Sequence, residues 1–298
     1  MPHTSPTSPP SPTRAQLMMS APDHFEVSYR INPWMDPAQW QASATQLAQD
    51  ARQGWAALKR QYETLGAQVW VQPAQAGLPD LVFTANAGVV LDRKVVPARF
   101  MHAERRGEEA HNRTFFDDLI GQGVLESVVE APRDLYFEGA GDALWDGTRG
   151  LLWTGWGQRS SRAMAPFLAE TFGVPTVDLE LIDPRFYHLD TCFCVLTRGE
   201  IIVHRAALAD HSFALVEQLV GRDRLLLAPL DDALHLAVNS VCLGDDVVLC
   251  HASPALREAL TARGYRVHVV DLASFNRSGG AAYCLTLRLD NRSRAASV

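Results

Sequence analysis

An α/β fold in which five similar units close into a ring is predicted by three features of the sequence. Four apolar–turn–apolar segments recur along the chain. Their turn markers, near Asp92, Asp146, Thr197 and Asp245, fall about 50 residues apart, the spacing of a repeat architecture. Between them, amphipathic segments that stop at a glycine are followed by short apolar runs, the order of an α/β chain.

The elements follow in order. AGVVLDRKVVPARF (87–100), DALWDGTRGLLWTG (142–155), TCFCVLTRGEIIVH (191–204) and SVCLGDDVVLCH (240–251) read as β-hairpins with polar turns. YCLTLRLD (283–290) is a fifth strand at the same step, and HFEVSYRI (24–31) is its expected partner, closing the ring. The clearest helix is ALREALTAR, with Ser253 at its cap, Pro254 in its first turn and Gly264 after its end. YRVHVVDL (265–272) follows as a strand. The same order appears in the 39–65 helix, Gly66 and AQVWVQPA, and in RAMAPFLAETF, Gly173 and VPTVDLEL. Two more copies fall around 105–131 and 207–230. One such unit cannot bury its faces alone, whereas five around an axis can. An open doubly wound sheet is the alternative.

Composition narrows the function classes. The chain has 298 residues, 47% hydrophobic and 20% charged, which excludes a disordered, collagen-like or coiled-coil chain. With Lys+Arg 27 and Asp+Glu 34, the net charge of −7 provides no field for nucleic acid or an anionic membrane. It suits a small cationic or neutral substrate. No apolar run approaches a spanning helix. Five cysteines, at 192, 194, 242, 250 and 284, match no disulfide framework and point to a reducing cytoplasm. The Pro/Ser/Thr-rich MPHTSPTSPPSPTRAQL has no apolar core, so it is expected to be disordered and is no secretory signal. Met18 and Met19 are alternative starts. The expected organisation is a disordered tail over 1–20, one catalytic domain over 21–292 and a flexible end over 293–298. A homo-oligomer is left open.

In each unit the loop before the hairpin is polar within apolar surroundings. Six residues before the turn markers stand Asn86, Ala140, Thr191 and Asn239, and Cys284 holds the fifth place. Asp80, Glu138, Asp142, His188 and Asp190 lie close by in sequence. If the units are equivalent, a thiol, an imidazole and several carboxylates meet at the axis, a set suited to nucleophilic attack on a cationic electrophile. Cys284, in a Gly279-Gly280 turn, is the candidate nucleophile; a buried structural thiol is the alternative. His188 reads as a general acid/base oriented by Asp190, or as a zinc ligand with Cys192 and Cys194. Those two cysteines read more simply as same-face strand residues, and Cys242 and Cys250 as core. Glu138, between an apolar strand and Gly139-Ala140-Gly141, needs a partner, which a cationic ligand would supply. A turn acid bonding backbone N–H groups is the alternative, especially for Asp142. The glycines match no phosphate-binding pattern.

Four motifs in this order resemble the guanidino-group-modifying enzymes: Leu78-Pro79-Asp80-Leu-Val-Phe83-Thr-Ala-Asn86, Phe137-Glu138-Gly-Ala-Gly-Asp142, His188-Leu-Asp190 and Gly-Gly…Cys284. That superfamily contains arginine deiminases, dimethylarginine dimethylaminohydrolases, arginine dihydrolases and amidinotransferases. The resemblance spans about 21–290 and implies a five-bladed, pseudo-symmetric α/β propeller (the pentein fold) with its active site on the axis. It implies Cys284 as nucleophile, His188 as acid/base and Glu138 as the carboxylate gripping the guanidinium, with Asp80, Asn86 and Asp190 binding the substrate. Arg106, in Arg105-Arg106-Gly-Glu108, and Arg159 resemble the arginines that hold the substrate carboxylate; solvated surface residues are the alternative for both. It implies no metal or organic cofactor. Ala85-Asn86 departs from the carboxylates that the deiminases and dimethylarginine enzymes carry there. With Ser-Tyr-Arg-Ile-Asn-Pro-Trp-Met near the start, it is most similar to the arginine dihydrolases, which convert arginine to ornithine, ammonia and carbon dioxide. A dimethylarginine hydrolase, an amidinotransferase and a non-catalytic cation-binding module are the rivals.

Overall fold

The computed structural model describes residues 14–293. Its strands are β1 (Gln16–Ser20), β2 (Gln68–Gln72), β3 (Gly88–Leu91), β4 (Lys94–Pro97), β5 (Ser127–Val128), β6 (Ala143–Asp146), β7 (Leu151–Trp156) and β8 (Thr176–Glu180). They continue as β9 (Phe193–Val195), β10 (Ile201–Val203), β11 (Leu225–Leu227), β12 (Val241–Leu243), β13 (Asp246–Leu249), β14 (Arg266–Val269) and β15 (Leu287–Arg288). The longer helices are α1 (Ala44–Thr64), α2 (Gly107–Gly121), α3 (Met164–Phe172), α4 (Asp210–Val220) and α5 (Pro254–Ala262). The cap read for α5 is present: Ser253 Oγ accepts from the Leu256 N–H at 3.2 Å.

The strands form five separate three-stranded sheets, not one open sheet. Four share one pattern. An antiparallel hairpin is extended by a third strand parallel to its second member, as in β3–β4–β5, β6–β7–β8, β9–β10–β11 and β12–β13–β14. The helix between second and third strands is the crossover that parallel pairing requires. Grouping each helix and strand with the following hairpin therefore cuts the chain at a different point from the sheets. The strand after each helix completes the sheet of the preceding hairpin.

The fifth sheet corrects the reading of the N-terminus. Its order is β15–β1–β2, with β1 antiparallel to β15 and parallel to β2. Residues 16–20, expected in a disordered tail, thus supply the hairpin partner of β15, and 24–31, expected to do so, contains no strand. Leu17, Met18 and Met19 are fully buried. A strand covered on both faces reads as a continuous apolar run rather than an alternation, and proline-rich sequence ahead of it hides so short a run. A chain starting at Met18 or Met19 would lack the leading residues of β1. The 24–31 segment instead buries Phe25 and Val27 and carries Tyr29 and Ile31 toward the polar loops described below. The expectations for residues 1–13 and 294–298 lie outside the described residues. Ser293 N–H donates to the Asp92 carboxylate at 2.9 Å.

Five apolar clusters join the sheets. Val90 and Val95 pack with Met18 and Leu287 under Phe116 of α2. On the opposite face of the same sheet, Val89 and Leu91 meet Leu152 under Leu168 of α3. Trp153 meets Phe193 under Val216 of α4, and Ile202 meets Val247 under Leu260 of α5. Val248 meets Leu17 under Leu58 of α1. Successive residues of each strand point to opposite faces, so every sheet packs on two neighbours and the last packs on the first. Among the described residues no helix is long and apolar enough to cross a membrane.

Candidate active site

Short polar loops ahead of the hairpins are tied to one another in a closed cycle. Thr84–Ala87, Gly139–Gly141 and Leu189–Thr191 are single 3-10 turns, and Asn239 and Cys284 hold the corresponding places ahead of β12 and β15. Asn86 Nδ2 donates to the Glu138 carbonyl at 3.1 Å, and the Leu189 N–H to Asp142 Oδ1 at 3.0 Å. Asn239 Nδ2 donates to the Asp190 carbonyl at 3.1 Å, and the Cys284 N–H to Asn239 Oδ1 at 3.1 Å. The Ala85 N–H donates to the Cys284 carbonyl at 3.1 Å, returning to the first loop. The contacts between loops are close. Gly139 has φ +65°, and a Cβ there would lie 2.6 Å from the Ala85 carbonyl oxygen. A Cβ on Gly141 would lie 2.4 Å from Asn86 Nδ2 and 3.4 Å from the His188 ring. Gly141→Ala is therefore expected to displace both side chains and lower turnover about 10²-fold or more. Kinetics together with a melting curve checks this; wild-type rates would show that neither placement matters.

The cycle brings the thiol to a carboxyl. Cys284 is 2% exposed, and its Sγ donates to Asp190 Oδ2 at 3.2 Å. Asn239 Nδ2 donates to the same sulfur at 3.2 Å. Burial, with the Asp190 charge and hydrogen bond, holds the thiol well above its ordinary range. Burial also pushes Asp190 up to about 7. In the unliganded site this pair therefore keeps a proton.

The imidazole has a different partner from the one read in the sequence. His188 lies 2.7 Å from Glu138 Oε2, so Glu138 orients it while Asp190 serves the thiol. Residues two apart in a turn project to different sides, which a two-residue spacing alone does not disclose. Arg159 donates to the same Glu138 oxygen at 3.1 Å and to the Ile31 carbonyl at 2.8 Å. Its guanidinium lies over the Tyr187 ring, and it is buried rather than solvated. Burial would raise the Glu138 carboxyl, but Arg159 and the bond from His188 outweigh it and hold the group well below the usual range. Behind it, Ser160 Oγ accepts from the Glu138 N–H and donates to Asp142 Oδ2 at 2.6 Å. Asp142, bonded to the Leu189 N–H, fits the backbone-bonding alternative, and burial pushes it up to about 6.

On the far side Tyr29 Oη donates to Asp80 Oδ2 at 2.9 Å. Burial raises the Asp80 carboxyl, opposed by Arg105. Arg105 is buried and forked onto Glu108 with two bonds of 2.8 Å, and it donates to Asn86 Oδ1 at 2.9 Å. Arg106, the residue singled out in the sequence, is exposed and bonded to the carbonyls of Phe100 and Met101. The structure thus joins Arg105, not Arg106, to the buried cluster. The i,i+3 spacing of Arg105 and Glu108 was the available signal. Asn239 and Tyr29 also had no role assigned from sequence. Cys192 and Cys194 do not share a face, because Cys192 precedes β9; they pack in different clusters and donate to the Leu189 and Ser240 carbonyls. Among the described residues no group of three or more His, Cys, Asp or Glu is placed to hold a metal, so the His188–Cys192–Cys194 set is not formed.

Three carboxyls of this cluster each keep one buried oxygen without a protein donor: Asp80 Oδ1, Glu138 Oε1 and Asp190 Oδ1. Leaving such oxygens unpaired is costly, and a planar cation with several N–H groups would relieve the cost. The raised carboxyls have a further consequence. Their stabilising effect is complete below about pH 4 and is lost as pH rises through about 6 for Asp142 and about 7 for Asp190. Glu138 acts in the opposite sense, in a more acidic window. The unliganded protein is therefore expected to lose thermal stability between pH 5 and about 7.5, less steeply in Asp190→Asn. Binding a guanidinium near pH 6.5 should release roughly one proton, measurable by calorimetry in buffers of different ionisation heat. Proton uptake would contradict this.

Known proteins are similar to this chain along nearly its whole length. The family model described as N,N dimethylarginine dimethylhydrolase, eukaryotic, matches residues 21–290. The bifunctional arginine dihydrolase/ornithine cyclodeaminase AgrE of Nostoc sp. is 41% identical over 93% of this chain, which spans only 38% of that longer protein. The N(G),N(G)-dimethylarginine dimethylaminohydrolase of Mycobacterium tuberculosis is 34% identical, over 94% of this chain and 87% of its own length. The N-terminal domain of ArgZ, a cyanobacterial arginine dihydrolase solved as a mutant bound to substrate, matches with a TM-score of 0.87 at 36% identity. That match covers 94% of this chain and 100% of the domain. With the model and a near full-length relative agreeing, the chain belongs to the dimethylarginine dimethylaminohydrolase family, within the guanidino-group-modifying superfamily.

Proposed function

We propose that this chain is a cysteine-dependent hydrolase that acts on the guanidino carbon of arginine and yields ornithine, ammonia and carbon dioxide. The five sheets are read as the blades of an α/β propeller forming one catalytic domain, with the buried cluster on its axis. The observation that carries the proposal is the set of three donor-less carboxyl oxygens in the buried cluster, one of them on the Asp190 carboxyl that holds the Cys284 thiol. The match to two bifunctional arginine dihydrolases supports the choice of reaction. All five cysteines are free, which suits a reducing cytoplasm.

In the proposed reaction Asp80, Glu138 and Asp190 receive the guanidinium, and Arg159 the substrate carboxylate. The cation lowers the cost of ionising Cys284, whose proton leaves through Asp190. The thiolate attacks the guanidino carbon, and His188 protonates the departing ammonia. The amidino-thiol intermediate is then attacked by water that His188 activates, giving citrulline. A second round at the ureido carbon releases another ammonia and leaves the carbamate of ornithine, which loses carbon dioxide. Two waters are consumed and two ammonias formed. No metal or organic cofactor enters these steps.

A second reading, hydrolysis of methylated arginine to citrulline, is favoured by the family model and by the relative from Mycobacterium tuberculosis. A transferase would share the first half and replace water by an amine. Incubation with arginine and with dimethylarginine, followed by mass spectrometry, separates the three. Ornithine from arginine supports the proposal, whereas citrulline as sole product overturns it. Asn86→Asp sharpens the test. Asn86 donates to a carbonyl and accepts from Arg105, and a carboxylate there can only accept. It should favour guanidinium over ureido binding, so citrulline is expected to build up about ten-fold or more relative to ornithine.

A further inference from the structure

Asn239 is fully buried, and all its amide hydrogen-bonding positions are used. Oδ1 accepts from the Ala281 N–H at 3.0 Å and from the Cys284 N–H at 3.1 Å. Nδ2 donates to the Asp190 carbonyl at 3.1 Å and to Cys284 Sγ at 3.2 Å. Turning the amide over would set its NH₂ against two N–H donors, so the orientation is fixed. One side chain thereby holds the backbone of the cysteine loop, the loop of Asp190 and the sulfur itself. The sulfur has a carboxyl on one side, which disfavours a negative charge, and this amide N–H on the other, which favours it.

We propose that Asn239 is the residue that positions Cys284 and stabilises its thiolate, so that it sets the pH at which the thiol becomes reactive. The inference rests on the functional reading above only in taking Cys284 as the nucleophile. Asn239 acts through the cysteine and is a positioning residue. A carboxylate at the same place keeps the two bonds from the backbone N–H groups, loses both donations and brings a negative charge beside the sulfur.

The test is the pH dependence of Cys284 alkylation by iodoacetamide in the full chain, with the modified cysteine identified by mass spectrometry. In Asn239→Asp the midpoint is expected to move to higher pH, and the rate at pH 7.5 to fall about tenfold or more, in a variant that a melting curve shows to be folded. Asn239→Ser, whose hydroxyl is too short to reach the sulfur, should shift the profile in the same direction. Folded variants with the wild-type profile would overturn the proposal. So would a failure of both variants to fold, which would make Asn239 a purely structural residue. An Asn239-dependent profile in a protein that turns over no guanidino compound would uphold Asn239 and sink the functional reading alone.

Discussion

Replacing Cys284 by serine is expected to lower turnover by about 10⁴-fold or more while the fold persists. Serine is a weaker nucleophile without a strong base, and His188 is bonded to Glu138 rather than to the thiol. The geometry predicts little structural loss. Sγ donates one bond, to Asp190, and accepts one, from Asn239, and a hydroxyl can do both. Substrate should therefore still bind and raise the melting temperature of the variant. Kinetics and thermal melts with arginine check both parts, and near wild-type rates would remove the thiol from the chemistry.

His188→Ala is expected to reduce turnover by about 10²–10⁴-fold, the usual contribution of a general acid/base. The loss should depend on the leaving group. A guanidino analogue whose departing amine needs little protonation should still load Cys284, and the covalent adduct should then persist because no base activates water. Intact-protein mass spectrometry detects the added mass. Full activity in this variant, or an adduct that clears at the wild-type rate, would give the acid/base role to another group. Removing His188 also leaves Glu138 with Arg159 as its side-chain partner. The fold should hold, since the buried carboxylate stays paired.

The repeat was legible because it is written in local chemistry. Each hairpin carries its own turn, and α5 its Ser253 cap and Gly264 stop, so these elements need no distant partner to be recognised. Cys284, His188 and Glu138 were legible as candidates for a related reason. A thiol, an imidazole and a carboxylate at matching steps of a repeat meet if the repeat closes, and their loops do join in one hydrogen-bonded cycle. What only the tertiary structure decided were matters of pairing over long separations. β1 pairs with β15 across the whole chain, and local sequence carries no record of a partner so far away. Glu138, not Asp190, orients His188, because the two turns face each other across separate sheets. Arg105 enters the cluster and Arg106 stays outside, a choice made by which side of one turn faces Asn86. Asn239 stood among the equivalent loop positions, yet its role depends on four hydrogen bonds to three residues of two other loops that packing alone brings within reach. Periodicity and residue chemistry thus determined the units and their candidate reactive groups, while closure of the ring decided which groups touch, because contact between distant segments depends on packing geometry rather than on local sequence.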